Sequence, residues 1–333
     1  MKVSELRENL SRLKKEEVIK IASEFYKLIP KSKKEDYDVD SFVDNPGKKK
    51  KSSTAKNEIP LGILEIEVNA FIENAREQYY FIPNRVIPKK ERSKWRFRVK
   101  GWYKELTNID RKDKDLKQQA ELLFNLYELM CESCGYIYFT ADDPFQSIGI
   151  EQSTFYLSVV HMLQEAKGKA EALRPGIELI VNNDLSRCTI ESTLMVELIS
   201  TLDNVDLKYR GIRIAEDLIR IVDNDLKKKK KDHLSIENFR IKDKKNNLAE
   251  LGLRLYAELY EIEEGIGFYY KHYEEKSEEI KLYVLVRILF ELGKRDNIEK
   301  ELDKAVNNGI ELRRSLADLR NEIKKNGELP RFM

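Results

Sequence analysis

The chain has 333 residues, with 61 Lys and Arg against 59 Asp and Glu, so its formal net charge of +2 selects no partner by itself. Hydrophobic residues at 41%, including 16 Tyr and 13 Phe, exclude wholesale disorder. The 14 Gly and 8 Pro fall well below the usual ~7% and ~5%, which excludes turn-rich sandwiches, propellers and collagen-like chains and leaves long helices as the natural architecture.

The opening MKVSELRENLSRLKKEEVIK carries no apolar run behind Lys2, and no stretch approaches the ~18 uninterrupted apolar residues that cross a bilayer. A soluble, unexported, cytoplasmic protein with no membrane partner is expected. Val3, Leu6, Leu10 and Leu13 are spaced for one helix face, and Val18, Ile21, Ala22, Phe25 and Ile29 for a second. They predict a helix pair over 3–29, with Ser4 capping the first helix and Pro30 closing the second. Pro46, Gly47 and the lysines at 48–51 then mark a loop. The expected organisation is a helical hairpin over 1–45, a flexible linker over 46–58 and a helical-repeat or bundle body over 59–330.

From Ile59, apolar residues return at Leu61, Leu64, Val68, Phe71 and Ile72 on one helical face, until Pro83 ends the run. Residues 83–104 read two ways. Trp95, Phe97 and Val99 alternate with Arg96, Arg98 and Lys100 as in a half-buried strand, whereas Trp95, Val99, Trp102 and Leu106 fall at i, i+4, i+7 and i+11. The helix is preferred, because a lone strand among helices has no partner for its backbone groups, with a hairpin over 85–100 as the alternative. Long amphipathic helices follow over about 115–139, 150–169, 189–202, 209–229, 244–273, 277–292 and 309–325, with 177–181 unassigned. Turn chemistry separates them at 141–144, 174–176, 182–184 and 307–309. Shifting the chain by 129 positions lays 119–139 on 248–268 and matches Ala120 with Ala249, Leu122 with Leu251, Leu126 with Leu255 and Tyr127 with Tyr256, a candidate internal repeat.

The leucine-spaced N-terminal hairpin, the basic helix with aromatics at 72–106 and the Tyr-rich helix followed by an Asp-Pro-Phe turn within 122–163 resemble an uncharacterised bacterial all-helical family, a domain of unknown function. The resemblance implies the fold class and brings no catalytic residues with it.

Cys131 and Cys134 have the spacing of half a zinc site, but no second CxxC or His pair follows. Near the apolar side of a helix, they read as small buried hydrophobes. Three histidines, with no HExxH, nucleophile elbow or Walker loop, leave histidine- and nucleotide-based catalysis without a motif. Gly265 and Gly267 lack the third glycine of a dinucleotide loop and read as close packing or a kink. The pairs Asp142 with Asp143 and Asp223 with Asp225 read as caps and solvated ends.

Charge is unevenly placed. Residues 83–104 hold nine Lys and Arg against Glu91 alone, while 105–204 hold eight Lys and Arg against seventeen Asp and Glu. A basic block attracts phosphates by releasing condensed counterions, and its aromatics can stack on bases; an acidic neighbour can also absorb it within the chain.

The expected fold is all-α: antiparallel helix pairs forming an irregular bundle or short helical solenoid, with an N-terminal helical hairpin. The leading functional expectation is a non-catalytic helical adaptor or scaffold that binds a protein partner through an apolar patch of Tyr256, Tyr260, Phe268, Tyr269 and Tyr273. The alternative is a nucleic-acid-binding accessory protein that uses Arg85, Lys89, Lys90, Arg92, Lys94, Trp95, Arg96, Arg98, Lys100 and Trp102. No catalytic residue, cofactor or metal site is assigned.

Overall fold

The computed structural model describes residues 3–29, 34, 59–81, 87–108, 113–228 and 236–331, and every regular element among them is an α-helix. The fold is all-α. Its contacts divide the chain into two units, Met1–Glu58 and Ile59–Met333. The predicted linker over 46–58, Pro30 and Arg85 lie outside the described residues.

In the first unit, α1 (Val3–Ser11) and α2 (Lys15–Leu28) are joined by a short turn, where the Glu17 carboxylate accepts the Lys14 N–H at 2.9 Å. Helix α1 starts before Ser4, so Ser4 is not its cap. No residue of α2 is buried, although Val18, Ile21, Phe25 and Leu28 keep to one stripe.

The second unit opens with α3 (Leu61–Arg76), the single turn α4 (Lys89–Arg92) and α5 (Trp95–Leu106). Then come α6 (Asp113–Glu132), the short α7 (Pro144–Ile148), α8 (Gln152–Lys167), α9 (Lys169–Asn182), α10 (Glu191–Ser200) and α11 (Val205–Lys228). The chain ends in α12 (Ile236–Glu258), α13 (Ile262–His272), α14 (Glu278–Glu291), α15 (Arg295–Asn307) and α16 (Arg314–Asn326). A large apolar core runs from α3 to α12, and a second lies among α12 to α16.

Side-chain contacts set the helix directions. Lys208 meets Glu258 at 3.2 Å and Lys245 meets Asp223 at 2.6 Å, which requires α11 and α12 to run antiparallel. Tyr127 packs on Phe155 and Tyr156 while Cys131 meets Gln152, so α6 and α8 are antiparallel too. Helix α14 instead runs parallel to α12, because Glu250 faces Arg287 as Arg254 faces Glu291. The echo between 119–139 and 248–268 therefore stops at one helix: the helices that follow α6 and α12 at equivalent positions pack in opposite senses.

Several boundaries depart from the sequence reading: the helix predicted over 115–139 ends at Glu132, 177–181 falls inside α9, and the helix predicted over 309–325 starts at Arg314. The predicted helix over 244–273 is two helices, broken at Tyr260, whose φ of 62° no helix accommodates. Pro175 lies inside α9 instead of ending a helix there; the buried Gly176 beside it accepts the Tyr156 hydroxyl at 3.0 Å, so packing overrides the turn signal. Helix α15 carries no clear sequence signal, since only Ile298, Leu302 and Ala305 of its apolar side chains are buried, amid charges.

The two glycines at the α12–α13 crossing and the α13 surface have different work. A β-carbon on Gly252 would stand 2.2 Å from the Phe268 ring, whereas one on Gly267 would meet nothing within 4 Å. Urea titration is expected to show G252A destabilised by about 1–3 kcal/mol through overpacking. The same measurement should show G267A stabilised by about 0.5–1 kcal/mol, as expected for an exposed helix glycine.

Candidate functional site

Helix α5 is set by four inward side chains, Trp95, Val99, Trp102 and Leu106, all buried at the predicted i, i+4, i+7 and i+11 spacing. Trp95 stacks on Phe139 at 4.1 Å between ring centroids. Trp102 packs edge-on against Phe71 at 5.1 Å and donates its indole N–H to Glu67 at 3.1 Å. Neither indole can stack on a base, which corrects their assignment as nucleic-acid contacts: the apolar surface that makes an indole a good stacking platform also makes it the best core residue in the segment.

The outward face keeps the cations. Arg96, Arg98 and Lys104 are exposed and Lys100 is half-buried, and none of the four makes an ion pair among the described residues. Arg96 donates to the Ser93 carbonyl at 3.3 Å, and the Arg98 guanidinium lies 4.7 Å from the Trp102 ring centre. Lys94 is the exception, paired with Glu91 at 2.6 Å, and Arg92 is half-buried. The backbone of Lys89 and Lys90 is helical, but their side chains lie outside the described residues. The acidic segment spends its carboxylates elsewhere: Glu132 on Arg76, Asp142 on Arg187 and Asp203 on Lys169.

Phe97 stands between Arg96 and Arg98 with 72% of its surface exposed, the aromatic that sequence reasoning missed. The signal was present: residue 97 lies opposite the centre of the buried set, one turn before Gly101 and two before Lys104. Gly101 is itself exposed, and a β-carbon there would meet nothing, so no packing inside the chain requires glycine at this point.

The five aromatics expected to form an apolar docking patch do not form one. Phe268 is buried over Gly252, and Tyr269 is buried with its hydroxyl on the Lys281 carbonyl at 2.9 Å. Tyr256 is half-buried against Phe268, and Tyr273 stacks on Tyr269 at 4.6 Å. Tyr260 alone of the five projects into solvent. The α12–α13 crossing needs these rings as its own packing, which their helical spacing could not distinguish from an exposed stripe.

The structure gathers the three cysteines around two loops that precede α8 and α10. Asp143 caps α7 by accepting the Gln146 N–H at 3.1 Å and also accepts the Ser186 hydroxyl at 2.6 Å and the Arg187 N–H at 3.2 Å. Buried Gln152 donates to the Cys131 sulfur at 3.3 Å and the Asp184 carbonyl at 3.1 Å, and accepts the Ser186 N–H at 2.8 Å. Burial pushes the Cys131 thiol up, and burial with the charges of Asp143, Asp184 and Asp142 raises Cys134 to about 12. Cys188 is exposed, and the Gln146 side-chain amide donates to its sulfur at 2.9 Å. Above this tie lies a cavity of about 420 Å³, lined by both loops and the first turn of α8.

A larger cleft of about 570 Å³ opens between the end of α9 and the start of α12, with acids and bases opposed: Arg240 lies 3.7 Å from Asp184, and Lys244 donates to Asn182 at 2.9 Å. Among the described residues no group of three His, Cys, Asp or Glu side chains is placed to hold a metal ion, and no helix is long and apolar enough to cross a membrane. No known protein family, curated protein or solved structure matches the chain.

The thiol environments generate a direct test. Because the thiolate is the nucleophile, iodoacetamide is expected to modify Cys188 in the native protein and to reach Cys131 only on unfolding, read by peptide mass spectrometry after timed labelling. Equal rates at the two positions would contradict the burial of Cys131.

Proposed function

We propose that the protein is a nucleic-acid-binding accessory protein whose contact surface is the outward face of α5. The observation that carries this reading is that Arg96, Arg98, Lys100 and Lys104 keep their charge free of any carboxylate partner among the described residues while Phe97 stands exposed among them. Unneutralised cations on one helix face give phosphate oxygens a site where binding releases counterions, and an exposed phenyl ring gives an unstacked base a surface without sequence preference. Exposed Gly101 lets a ligand approach the helix backbone closely. Lys89, Lys90 and Arg92 extend the same basic run towards the N-terminus of the segment.

Fluorescence anisotropy with a labelled single-stranded oligonucleotide tests the surface. The combined variant R96E, R98E and K104E is expected to bind at least about tenfold more weakly at low salt and to flatten the log–log salt dependence by about two units. F97A should weaken single-stranded binding more than duplex binding. Affinity indifferent to charge reversal and to salt would refute the reading.

A second reading, the protein-binding adaptor, keeps one specific observation. The stripe of α2 is uncovered, with Phe25 and Leu28 exposed over 54% and 75% of their surfaces, and a helix face of this kind fits the groove of a partner. Affinity purification from the native host, split into nuclease-treated and untreated halves, separates the readings. A stoichiometric protein that survives nuclease and is lost from the double variant F25D and L28D supports the adaptor; proteins that vanish on digestion support the nucleic-acid surface.

A further inference from the structure

We propose that the cavity of about 300 Å³ between α10, α12 and the end of α14 receives an aliphatic side chain of a partner peptide, whose neighbouring main-chain carbonyl accepts from Arg254. Its wall is apolar: Val196 and Ile199 of α10, then Leu202 and Leu292. Val196 lines the cavity yet is exposed over 54% of its surface, so no described residue covers the rim.

The floor is a cation with unused donors. Arg254 lines the cavity and is only 3% exposed. Its Nε and Nη2 groups donate to Glu250 and Glu291, whereas Nη1 makes no hydrogen bond among the described residues. A guanidinium carries five N–H donors, and the two on Nη1 are left for an acceptor that enters the cavity.

Charge decides the kind of acceptor. Arg254, Arg287 and Lys208 meet Glu250, Glu291 and Glu258 in pairs no longer than 3.9 Å, so cations and carboxylates already balance. An incoming carboxylate would join three others, whereas a neutral amide carbonyl satisfies the guanidinium without adding charge. A peptide group beside a leucine-like side chain provides both the carbonyl and the aliphatic body.

Backbone strain at the same end of α12 is an independent observation. Tyr260 closes α12 in the left-handed region at φ 62°, the position that Gly293 holds after α14 at φ 67°. The Glu261 N–H reaches the Tyr256 carbonyl at 3.0 Å, a closure in which glycine is usual because other residues are strained there. Gln78 has the same conformation after α3 and donates its side-chain amide to the Ile137 carbonyl at 3.4 Å. The Tyr260 hydroxyl makes no hydrogen bond among the described residues, and the residue is 91% exposed. Tyr260 follows the cavity's Glu258 by two residues, and Lys294, whose Nζ lies 6.0 Å from the Tyr260 ring centre, follows Leu292 by two. The ring therefore stands beside the cavity, an aromatic surface for the residues that flank the aliphatic anchor. The site shares no residue with the face of α5 or the stripe of α2 and does not rest on either.

Methyl NMR of the full chain, labelled at isoleucine, leucine and valine, tests the site by titration with N-acetyl-leucine methylamide. The Val196, Ile199, Leu202 and Leu292 methyls are expected to shift, with a midpoint on the order of 1 mM. R254K keeps a cation for Glu250 and Glu291 but removes Nη1, and V196K lays a longer, charged chain across the exposed rim. Each should weaken binding about tenfold, with thermal unfolding confirming that the variants are folded. Lengthening the probe with alanines on both sides should tighten binding about threefold, and Y260G should abolish that gain while leaving the short probe unaffected. N-acetyl-glycine methylamide should cause no shift, and N-acetyl-leucine, which carries a carboxylate, should bind more weakly. Absence of shifts, binding undiminished in V196K, an equal response to the glycine compound, or tighter binding of the carboxylate each overturns the proposal. Shifts of these methyls with protein concentration alone identify a second copy as the occupant and also overturn it. F25D with L28D, and R96E with R98E, should leave the titration unchanged, so this site and the two readings above fail separately.

Discussion

The burial of the second half of α12 on all sides is the constraint from which the second unit is built. Every residue from Leu248 to Leu255 is buried, with Leu248, Leu251 and Leu255 in the large core and Leu253 in the smaller one. A helix apolar all round is stable only when packed all round, so α11 and α13 lie against it antiparallel and α14 parallel. Two charges break the apolar run. Arg254 donates twice to Glu250, at 2.9 and 2.7 Å, and once to Glu291 at 2.5 Å. A buried pair of this kind gains little net stability after desolvation, but removing one partner strands the other, so the cluster holds α14 in a single register against α12.

The same reasoning, with its magnitudes, explains the face of α5. Burying Trp95, Val99, Trp102 and Leu106 contributes on the order of 1.5–3 kcal/mol per side chain, whereas an exposed ion pair contributes about 0–1 kcal/mol. The apolar set therefore decides the rotation of the helix, and the positions of Arg96, Phe97, Lys100 and Lys104 follow from it. Stability does not account for what stands there. An exposed phenylalanine and an exposed mid-helix glycine are both neutral or unfavourable for the isolated chain, and four cations without carboxylate partners among the described residues repel one another. A ligand with phosphates and aromatic bases makes each of these features favourable.

Periodicity revealed what depends on one helix and missed what depends on two. The inward positions of α5 and the turn at Asp143 and Pro144 were legible because both are local: side-chain spacing in one case, a carboxylate and a proline at the cap in the other. Phe268 looked like part of an exposed stripe because its burial depends on Gly252, sixteen residues earlier on another helix, and Tyr269 because its hydroxyl meets the Lys281 carbonyl beyond the end of its own helix. Pro175 looked like a terminator because nothing nearby in sequence announces Tyr156 reaching the Gly176 carbonyl. The cavity was illegible for the same reason: Phe145, Gln152 and Thr189, which line it, come from three separate segments.

The cavity beside α8 is walled by side chains already committed to one another. The strongest acceptor in the region, the Asp143 carboxylate, is fully engaged by the Gln146 amide, the Ser186 hydroxyl and the Arg187 amide. The Gln152 side chain is likewise committed, to Cys131, Asp184 and Ser186. These bonds lock the loop before α8 to the loop before α10. What the lock leaves is one wall of the cavity, shared by the first turn of α8 and the loop before α10. Two loops from distant parts of the chain are thereby held as one surface, because each bond satisfies a polar group that burial would otherwise leave unpaired.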